Sequence, residues 1–192
     1  MTETRVELDQ DALANARALR DAFGCFTTGV TVVTALCPEG RKLGFTVNSF
    51  ASVSLDPPLA LICVDLNSFS LQGLEASGAF AVNVLHADQQ DLARQFVQRD
   101  DDRFEGVGLE TWGTGSPIID DCMANFECRI SQAFDAGDHR VIVGEILRVR
   151  FDPAHEPLVY LQGRFRKVHV DDLVDVPAVE AVLGQLRHGP SP

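Results

Sequence analysis

Long hydrophobic runs are absent from this sequence of 192 residues. The longest unbroken apolar stretch, Leu59 to Val64, is far shorter than the roughly 20 residues that a membrane-spanning helix needs. The first residues, Met1 to Arg5, combine acidic and basic side chains and lack the apolar segment of a secretory signal. We therefore expect a cytoplasmic protein that does not interact with membranes.

Basic residues are scarce, with 16 Lys and Arg against 28 Asp and Glu, so the net charge is −12. Neutralisation of phosphates supplies most non-specific affinity for nucleic acids, and an acidic chain without a basic cluster is therefore not expected to bind them. No Lys or Arg lies between Lys42 and Arg94. A phosphate-bearing small molecule remains possible, because backbone N–H groups and one or two cations are enough to hold it.

Cysteine pairs at metal-binding spacing are also absent. The five cysteines form an odd set without a C-x-x-C pair, so we expect neither a disulfide framework nor a zinc site. Four of the five histidines are scattered, and no ligand cluster for a metal is visible. These cysteines and histidines are Cys25, Cys37, Cys63, Cys122 and Cys128, and His86, His155, His169 and His188.

The apolar pattern predicts one domain, residues 1–192, with a core over 19–168 and peripheral terminal helices. Helical spacing favours a first helix from Ala12 to Phe23, capped by Asp9 or Asp11 and ended by Gly24. Further helices are expected from Ser68, over Asp88 to Gln98, and over Pro177 to Arg187.

Strands account for most of the remaining pattern. They are expected over Gly29 to Leu36, from Leu43, over Leu59 to Asp65, Phe80 to Leu85, Phe126 to Phe134, Val141 to Phe151 and Leu158 to Val168. Short spacing between the strands, with helices at the margins, predicts a mainly β fold, a small β-barrel with helical decoration. A doubly wound parallel sheet is disfavoured, because strands and helices do not alternate.

Three segments are candidates for chemistry. The glycine-rich run Gly106 to Gly115 lacks the following helix of a dinucleotide fingerprint, so it is interpreted as a surface loop rather than a phosphate loop. Asp138 and His139 are adjacent, and on an extended chain their side chains would point in opposite directions and not pair. His139 follows Gly137 at the start of a strand, where it either faces a cleft or is a surface histidine at a turn.

The richest segment is Thr46 to Ser54, where hydroxyl and amide residues lie between apolar strands. In an extended segment, alternation would place four polar side chains on one face: Thr46, Asn48, Ser52 and Ser54. Such a row suits a flat ligand rich in heteroatoms. The alternative is a turn in which these side chains bond their own backbone.

The residues of several segments together resemble the flavin reductase family, which has the FMN-binding split-barrel fold. The matching segments are FTTGVTVVTA at 26–35, GFTVNSFASVSLDPP at 44–58, Ser68, FAVNVL at 80–85, residues 90–96, GDH at 137–139 and PLVY at 157–160. They extend, in order, over roughly residues 19–168.

The resemblance implies a site for flavin. It places flavin against Thr28, Gly29, Val30, Thr31, Thr46, Val47, Asn48, Ser49, Ser52, Val53 and Ser54, with Ser52 to Ser54 nearest the ring and ribityl chain. It places the phosphate end near Cys63, Val64, Asp65 and Ser68, and it assigns His139 to the nicotinamide side as the catalytic-site residue. No metal is implied.

The function implied by the resemblance is reduction of FMN or FAD by NADH or NADPH, in a homodimer that supplies reduced flavin to a partner flavin-dependent monooxygenase. A groove with few cations fits a flavin that is released as a product. Two alternatives stay open: an oxidase-like enzyme with permanently bound flavin, and a non-catalytic flavin-binding protein.

Overall fold

The computed structural model describes residues 6–7, 9–11, 14–98 and 103–168. The expected helix over Pro177 to Arg187 lies outside the described residues. Within them the chain is mainly β, which confirms the predicted class. No helix of the described part is long and apolar enough to cross a membrane.

The main sheet has seven strands, and each neighbouring pair is antiparallel. Its strand order is β3-β2-β6-β9-β10-β5-β4. The strands are β2 (Thr31–Leu36), β3 (Lys42–Val47), β4 (Ala51–Leu55), β5 (Pro58–Asp65), β6 (Ala79–Val84), β9 (Ala124–Ala136) and β10 (His139–Phe151). The two edge strands, β3 and β4, are consecutive in the chain and are joined by Asn48, Ser49 and Phe50, so this connection spans the gap between the sheet edges.

Two smaller sheets and three short helices surround the main sheet. A three-stranded sheet contains β1 (Thr28–Gly29), β11 (Leu158–Leu161) and β12 (Arg164–Lys167), and a hairpin contains β7 (Leu109–Thr111) and β8 (Pro117–Ile119). The helices are α1 (Ala16–Phe23), α2 (Leu71–Ser77) and α3 (Gln90–Gln95).

The sequence explains where the core lies. Strand β2 is rich in β-branched residues, which favour strands, and its first five residues are buried. In β5 the side chains alternate, with Ala60, Ile62 and Val64 buried, as expected for a strand with one face in the core. Ile62 and Val64 pack with Phe80, Leu74, Ile142 and others into the main apolar cluster.

A second apolar cluster supports the side of the barrel near α3. It contains Val30, Val32, Leu85, Ala93, Phe96, Ile119 and Leu158. Gly44 on β3 lies in close contact with this region, since a Cβ there would be 2.5 Å from Cε1 of Phe96 and 2.8 Å from Cζ of Phe104. Glycine is therefore required at this position for β3 to approach the two rings.

A network of buried polar side chains lies between the main sheet and β8, on the face of β6 opposite to the main apolar cluster. Asn83 Oδ1 accepts hydrogen bonds from the backbone N–H of Ile119 and from Asn125 Nδ2, both at 2.9 Å. Asn83 Nδ2 donates to the carbonyl of Val32 at 3.0 Å and to Thr34 Oγ1 at 3.1 Å. All four hydrogen-bonding positions of this amide are used inside the protein, so burial costs it little.

Several predicted boundaries are wrong. The strand expected over Leu158 to Val168 is a hairpin, because Gln162 and Gly163 adopt positive φ values of 50° and 74° and reverse the chain. The strand expected from Gly29 is interrupted at Val30, and the glycine-rich segment predicted to be a surface loop forms β7 and places Trp112 in the interior.

Two further predictions on local structure are corrected. The first helix begins at Ala16, and its cap is Asn15, whose side chain accepts from the N–H groups of Arg17 and Ala18, whereas Asp9 or Asp11 was expected. The segment from Thr46 is not one extended strand, because β3 ends at Val47 and the chain crosses to β4 before pairing again. A bulge between Ser52 and Ser54 disrupts the alternation further.

Candidate functional site

A groove of about 410 Å³ opens where β3, the Asn48–Phe50 connection and the end of β5 meet. It is large enough for a small-molecule ligand, whose pockets span roughly 300–1,000 Å³. The groove has both apolar and polar walls. Its lining is Phe45, Thr46, Val47, Asn48, Ser49, Cys63, Val64, Asp65, Ser68, Phe69, Ser70, Phe96, Val97, Gln98, Arg103 and His139.

Ser49 fixes the connection that forms one wall of the groove. Its hydroxyl donates to the carbonyl of Cys63 and accepts from the N–H of the same residue, both at 3.0 Å. This pair of bonds attaches the connection to β5. Beside it, Asn48 Nδ2 donates to Thr28 Oγ1 at 3.3 Å, while Thr46 Oγ1 donates to the carbonyl of Ala93 at 2.8 Å. The polar side chains here both hold the wall and face the cavity.

His139 lies on the groove lining at the first position of β10, opposite Asp65 of β5 in the strand register. Its Nδ1 is 2.6 Å from Oδ1 of Asp138, so the expectation that these adjacent side chains cannot pair is wrong. The chain is not extended at this point, because Gly137 with φ of 66° turns it between β9 and β10. The hydrogen bond to His139 and its nearby charge lower the pKa of Asp138.

Consequently His139 is an oriented side chain rather than a free surface histidine. The backbone carbonyl of Asp138 accepts from the N–H of Leu66 at 3.0 Å, which attaches the turn to the segment after β5. Because Nδ1 is engaged by Asp138, Nε2 is the ring nitrogen that remains for a ligand.

Among the described residues that line the groove, Arg103 is the one with a permanent positive charge. Its Nη1 donates to the carbonyl of Gly44 at 2.6 Å, which holds the guanidinium against β3. The carbonyl of Arg103 in turn accepts from Gln95 Nε2 at 2.9 Å, so its backbone is tied to α3. The absence of Lys and Arg between Lys42 and Arg94 therefore does not leave the groove without a cation.

Cys63 forms part of the groove wall, and partial burial raises the pKa of its thiol. A thiol with a raised pKa is neutral near pH 7 and acts as an apolar wall rather than a nucleophile. All five cysteines are free, as the sequence predicts. Among the described residues, no group of three or more His, Cys, Asp or Glu side chains is arranged to hold a metal.

The structure brings most of the expected site residues together. The groove collects Thr46, Val47, Asn48, Ser49, Cys63, Val64, Asp65, Ser68 and His139. Thr28 lines an adjoining cavity, and Val30 lines a smaller one of about 200 Å³ that shares Thr46, Val47 and Asn48 with the groove.

The other expected site residues lie outside the lining of these three cavities: Gly29, Thr31, Ser52, Val53 and Ser54. Thr31 is buried, and its hydroxyl donates to the carbonyl of Val47 at 3.1 Å, so in this structure it supports β3. Ser52 and Val53 are exposed on β4. Contact of these five residues with flavin stays a prediction.

Sequence reasoning did not identify Arg103 or Phe69 as groove residues. Arg103 follows an acidic run, Asp100 to Asp102, and no spacing pattern links it to β3. Phe69 is largely exposed and lies beside Ser68, in a segment that the apolar pattern assigns only to a helix start. Only the packing of distant segments brings these side chains to the groove.

Comparison with known proteins agrees with this geometry. The sequence profile of the flavin reductase like domain matches residues 23–169. The FMN reductase (NADH) SmoA of Agrobacterium fabrum is 47% identical over 151 residues, which are 79% of this chain and 85% of that protein.

Other relatives are longer. The reductase component of the flavin-dependent trigonelline monooxygenase of Acinetobacter baylyi is 43% identical over 138 residues, which are 72% of this chain and 44% of that protein. A "Probable flavin reductase" of Rhizobium meliloti is 48% identical over 130 residues, or 68% of this chain. This chain spans 42% of that relative's length.

The fold has close counterparts among solved structures. The NADH:FAD oxidoreductase SgcE6 of Streptomyces globisporus, in complex with NAD and FAD fragments, matches with a TM-score of 0.81 and 38% identity over 88% of this chain and 100% of that one. This match confirms the predicted split-barrel fold. The chain therefore belongs to the flavin reductase family.

Proposed function

We propose that this protein is an NAD(P)H-dependent flavin reductase, which transfers a hydride from NADH or NADPH to FMN or FAD and supplies reduced flavin to a separate monooxygenase. One observation carries the proposal: a single groove combines the polar Asn48–Ser49 wall with the oriented His139. Family membership identifies the chemistry for which such a groove is suited.

The residues present fit a flavin. Its ring system is flat and apolar on its faces and carries heteroatoms along its edges. Val47, Val64 and Phe45 supply apolar wall, and Asn48 and Ser49 supply hydrogen-bonding groups on the same groove. A mostly apolar pocket with a few positioned polar groups is typical of cofactor sites.

The chemistry makes few demands on side chains. When bound, flavin supplies a hydride acceptor for the nicotinamide, so no nucleophile of the protein is required. The chain has to hold the two rings in contact, with the reacting atoms roughly 3–3.5 Å apart. Backbone N–H groups near Ser49 would provide donors for negative charge that develops during the transfer. His139 orients the nicotinamide nucleotide through Nε2, since Asp138 holds Nδ1.

Arg103 provides the positive charge for a phosphate in this groove. The resemblance puts the phosphate end of flavin near Cys63 to Ser68, where the Asp65 carboxylate would repel it. A guanidinium binds phosphate through paired N–H donors and stays charged at every physiological pH. With Arg103 as the permanently charged cation among the described lining residues, we expect the site to bind reduced flavin weakly enough to release it.

The apolar surface supports a homodimer. Exposed apolar side chains lie on β4 and on the second half of β10: Val53, Leu55, Leu147, Val149 and Phe151. Contiguous exposed apolar surface is rare on monomers and marks interaction sites. A second copy of this chain is the occupant that we infer, and sedimentation equilibrium of the full chain tests it, since a monomeric mass would contradict it.

The proposed activity is tested by combining both flavins with both nicotinamide dinucleotides and following anaerobic reduction of the flavin. We expect protein that is colourless after gel filtration and NADH or NADPH oxidation that requires added flavin. Protein that retains its yellow colour would support a permanently bound flavin instead. Absence of reduction in all four combinations would leave only a flavin-binding protein and overturn the proposal.

A further inference from the structure

The turn that carries the groove cation is attached to α3 by the side chain of Gln95, the last residue of that helix. Gln95 Nε2 donates to the carbonyl of Arg103 at 2.9 Å and to the carbonyl of Glu105 at 3.0 Å. A glutamine amide has two N–H donors, and here both bond to the same turn. Gln95 is not part of the groove lining, so it does not face a ligand there.

The end of α3 is a fixed point of the barrel. Ala93 and Phe96, on either side of Gln95, are buried in the second apolar cluster. Thr46 of β3 donates to the carbonyls of these two residues, from Oγ1 at 2.8 Å and from its N–H at 3.3 Å. Gln95 therefore projects from a segment that cannot shift without disturbing β3.

The turn also has an apolar anchor. The ring of Phe104 packs edge-on against Phe96, with the ring centroids 5.0 Å apart and an angle of 85° between the planes. Such an apolar contact holds the turn close to the barrel but is not directional. The two hydrogen bonds from Gln95 are directional, and they fix the carbonyls of Arg103 and Glu105 on either side of Phe104.

The position of the Arg103 guanidinium depends on this orientation. Arginine has a long side chain that loses much rotamer freedom when it is ordered. In this structure its head is held on β3 by the bond from Nη1 to the carbonyl of Gly44, at 2.6 Å, and its backbone is held on α3 by Gln95. Both ends of the side chain are therefore fixed before a ligand arrives.

We propose that Gln95 is a positioning residue for Arg103, which keeps the guanidinium in place for the phosphate of the flavin. The proposal rests on the function proposed above, in which Arg103 binds that phosphate, and deepens it. If the turn is released, only a fraction of the molecules holds the guanidinium in the binding position. The apparent affinity for a phosphate-bearing flavin falls by that fraction.

The experiment replaces Gln95 by methionine, which has a similar length and helix propensity but no N–H donor. We expect Gln95→Met to raise the KM for FMN about fourfold, as for the loss of neutral hydrogen bonds, and to change the KM for riboflavin by less than about 1.5-fold. The value of kcat should change by less than about 1.5-fold with either flavin, because the reacting rings are not displaced. Steady-state kinetics with NADH measures all four values.

A double-mutant cycle tests whether Gln95 acts through Arg103. In the Arg103→Gln background the guanidinium is absent, so Gln95→Met should change the ratio of the two KM values by less than about 1.5-fold. A second variant, Gln95→Glu, has the shape of glutamine and places a carboxylate against the two carbonyls. It should raise the ratio at least as much as Gln95→Met.

Gln89 provides a matched control at the other end of α3. It is also half-buried, and its Nε2 donates to the carbonyl of Asp121 at 2.9 Å, in a turn that does not line the groove. Gln89→Met removes the same kind of bond and should leave the ratio of KM values for FMN and riboflavin unchanged. Chemical denaturation of both variants separates a loss of stability from a change in that ratio.

Three outcomes would overturn the proposal. The ratio could stay at the wild-type value in Gln95→Met and Gln95→Glu while Arg103→Gln changes it. It could change equally in the presence and absence of the guanidinium, or as much in Gln89→Met as in Gln95→Met. Failure of the reductase function is distinguishable from all three, because wild type would then reduce neither FMN nor riboflavin.

Discussion

Two polar regions of this protein look alike in sequence and differ in the structure. One is the buried network around Asn83, between the main sheet and β8, and the other is the Asn48–Ser49 wall of the groove. Asn83 uses all its hydrogen-bonding groups on the protein. Asn48 is exposed and donates one bond, to Thr28. The difference shows that a polar cluster is structural when other groups of the protein use all its hydrogen-bonding positions. It is available to a ligand when some of those positions are left unused.

Replacing the interior amide should give the largest effect on stability. We expect Asn83→Ala to lower the free energy of unfolding by about 3 kcal/mol, because Ile119, Asn125 and Thr34 would lose buried partners. Chemical denaturation measures this change. The matched variant Asn48→Ala should cost under about 1 kcal/mol and raise the KM for flavin instead. Equal destabilisation by the two variants would remove the distinction between the regions.

Replacing Arg103, the cation of the groove, should weaken binding of the flavin phosphate. We expect Arg103→Gln to raise the KM for FMN about tenfold and to change the KM for riboflavin, which lacks the phosphate, by less than twofold. Steady-state kinetics with both flavins measures the ratio, with Arg94→Gln as control and Arg103→Lys as partial rescue. If the KM for NADH rises equally with both flavins, Arg103 binds the nicotinamide phosphates instead.

The two buried thiols Cys122 and Cys128 give a pH-dependent test of the interior. Burial raises the pKa of Cys122 and of Cys128 to about 12, so both stay protonated in the folded protein when the unfolded chain has lost those protons. The contribution of these two thiols to the free energy of unfolding is therefore fully present below about pH 8.5. It falls as the pH rises above that value, because only the unfolded chain releases the protons. We expect a loss of about 2 kcal/mol for each thiol by pH 10. Chemical denaturation below about pH 8.5 and at pH 10 measures this change. The free energy of unfolding of Cys128→Ala should decrease less between these pH values than that of wild type.

Thiol labelling sharpens the same comparison. Cys128 lies in the interior and should react only on unfolding, whereas Cys63 on the groove wall should react slowly and be protected by bound FMN. Mass spectrometry after labelling assigns the site. Labelling of Cys63 at an unchanged rate with saturating FMN would place the flavin elsewhere.

The smallest effect is expected at the oriented histidine. His139→Ala should raise the KM for NADH several-fold and lower kcat less, because the residue positions a nucleotide and transfers no proton. Asp138→Asn should shift the KM in the same direction by a smaller factor, since it only holds Nδ1 of His139. Steady-state kinetics with both cosubstrates checks this, and unchanged KM values would remove His139 from the site.

Local patterns predicted the strands, and the resemblance predicted the groove residues. The turns that connect the strands and the contacts between distant segments were mispredicted or missed. The reversal at Gln162 and Gly163 was not visible, because the apolar pattern continues through it. The pairing of His139 with Asp138 was mispredicted, since it depends on the φ of Gly137 and not on alternation. The contact of Arg103 with Gly44 spans 59 positions and leaves no local signal.

The sequence by itself determined the mainly β class, the buried strands and the family, because β-branched runs, alternation and motif order are properties of neighbouring residues. Only the tertiary structure decided which polar residues face a cavity and which form hydrogen bonds with other buried groups. The physical reason is that a hydrogen-bonding group is available only if no other part of the chain reaches it. Whether another part does so depends on how β3, β5 and α1 meet in space.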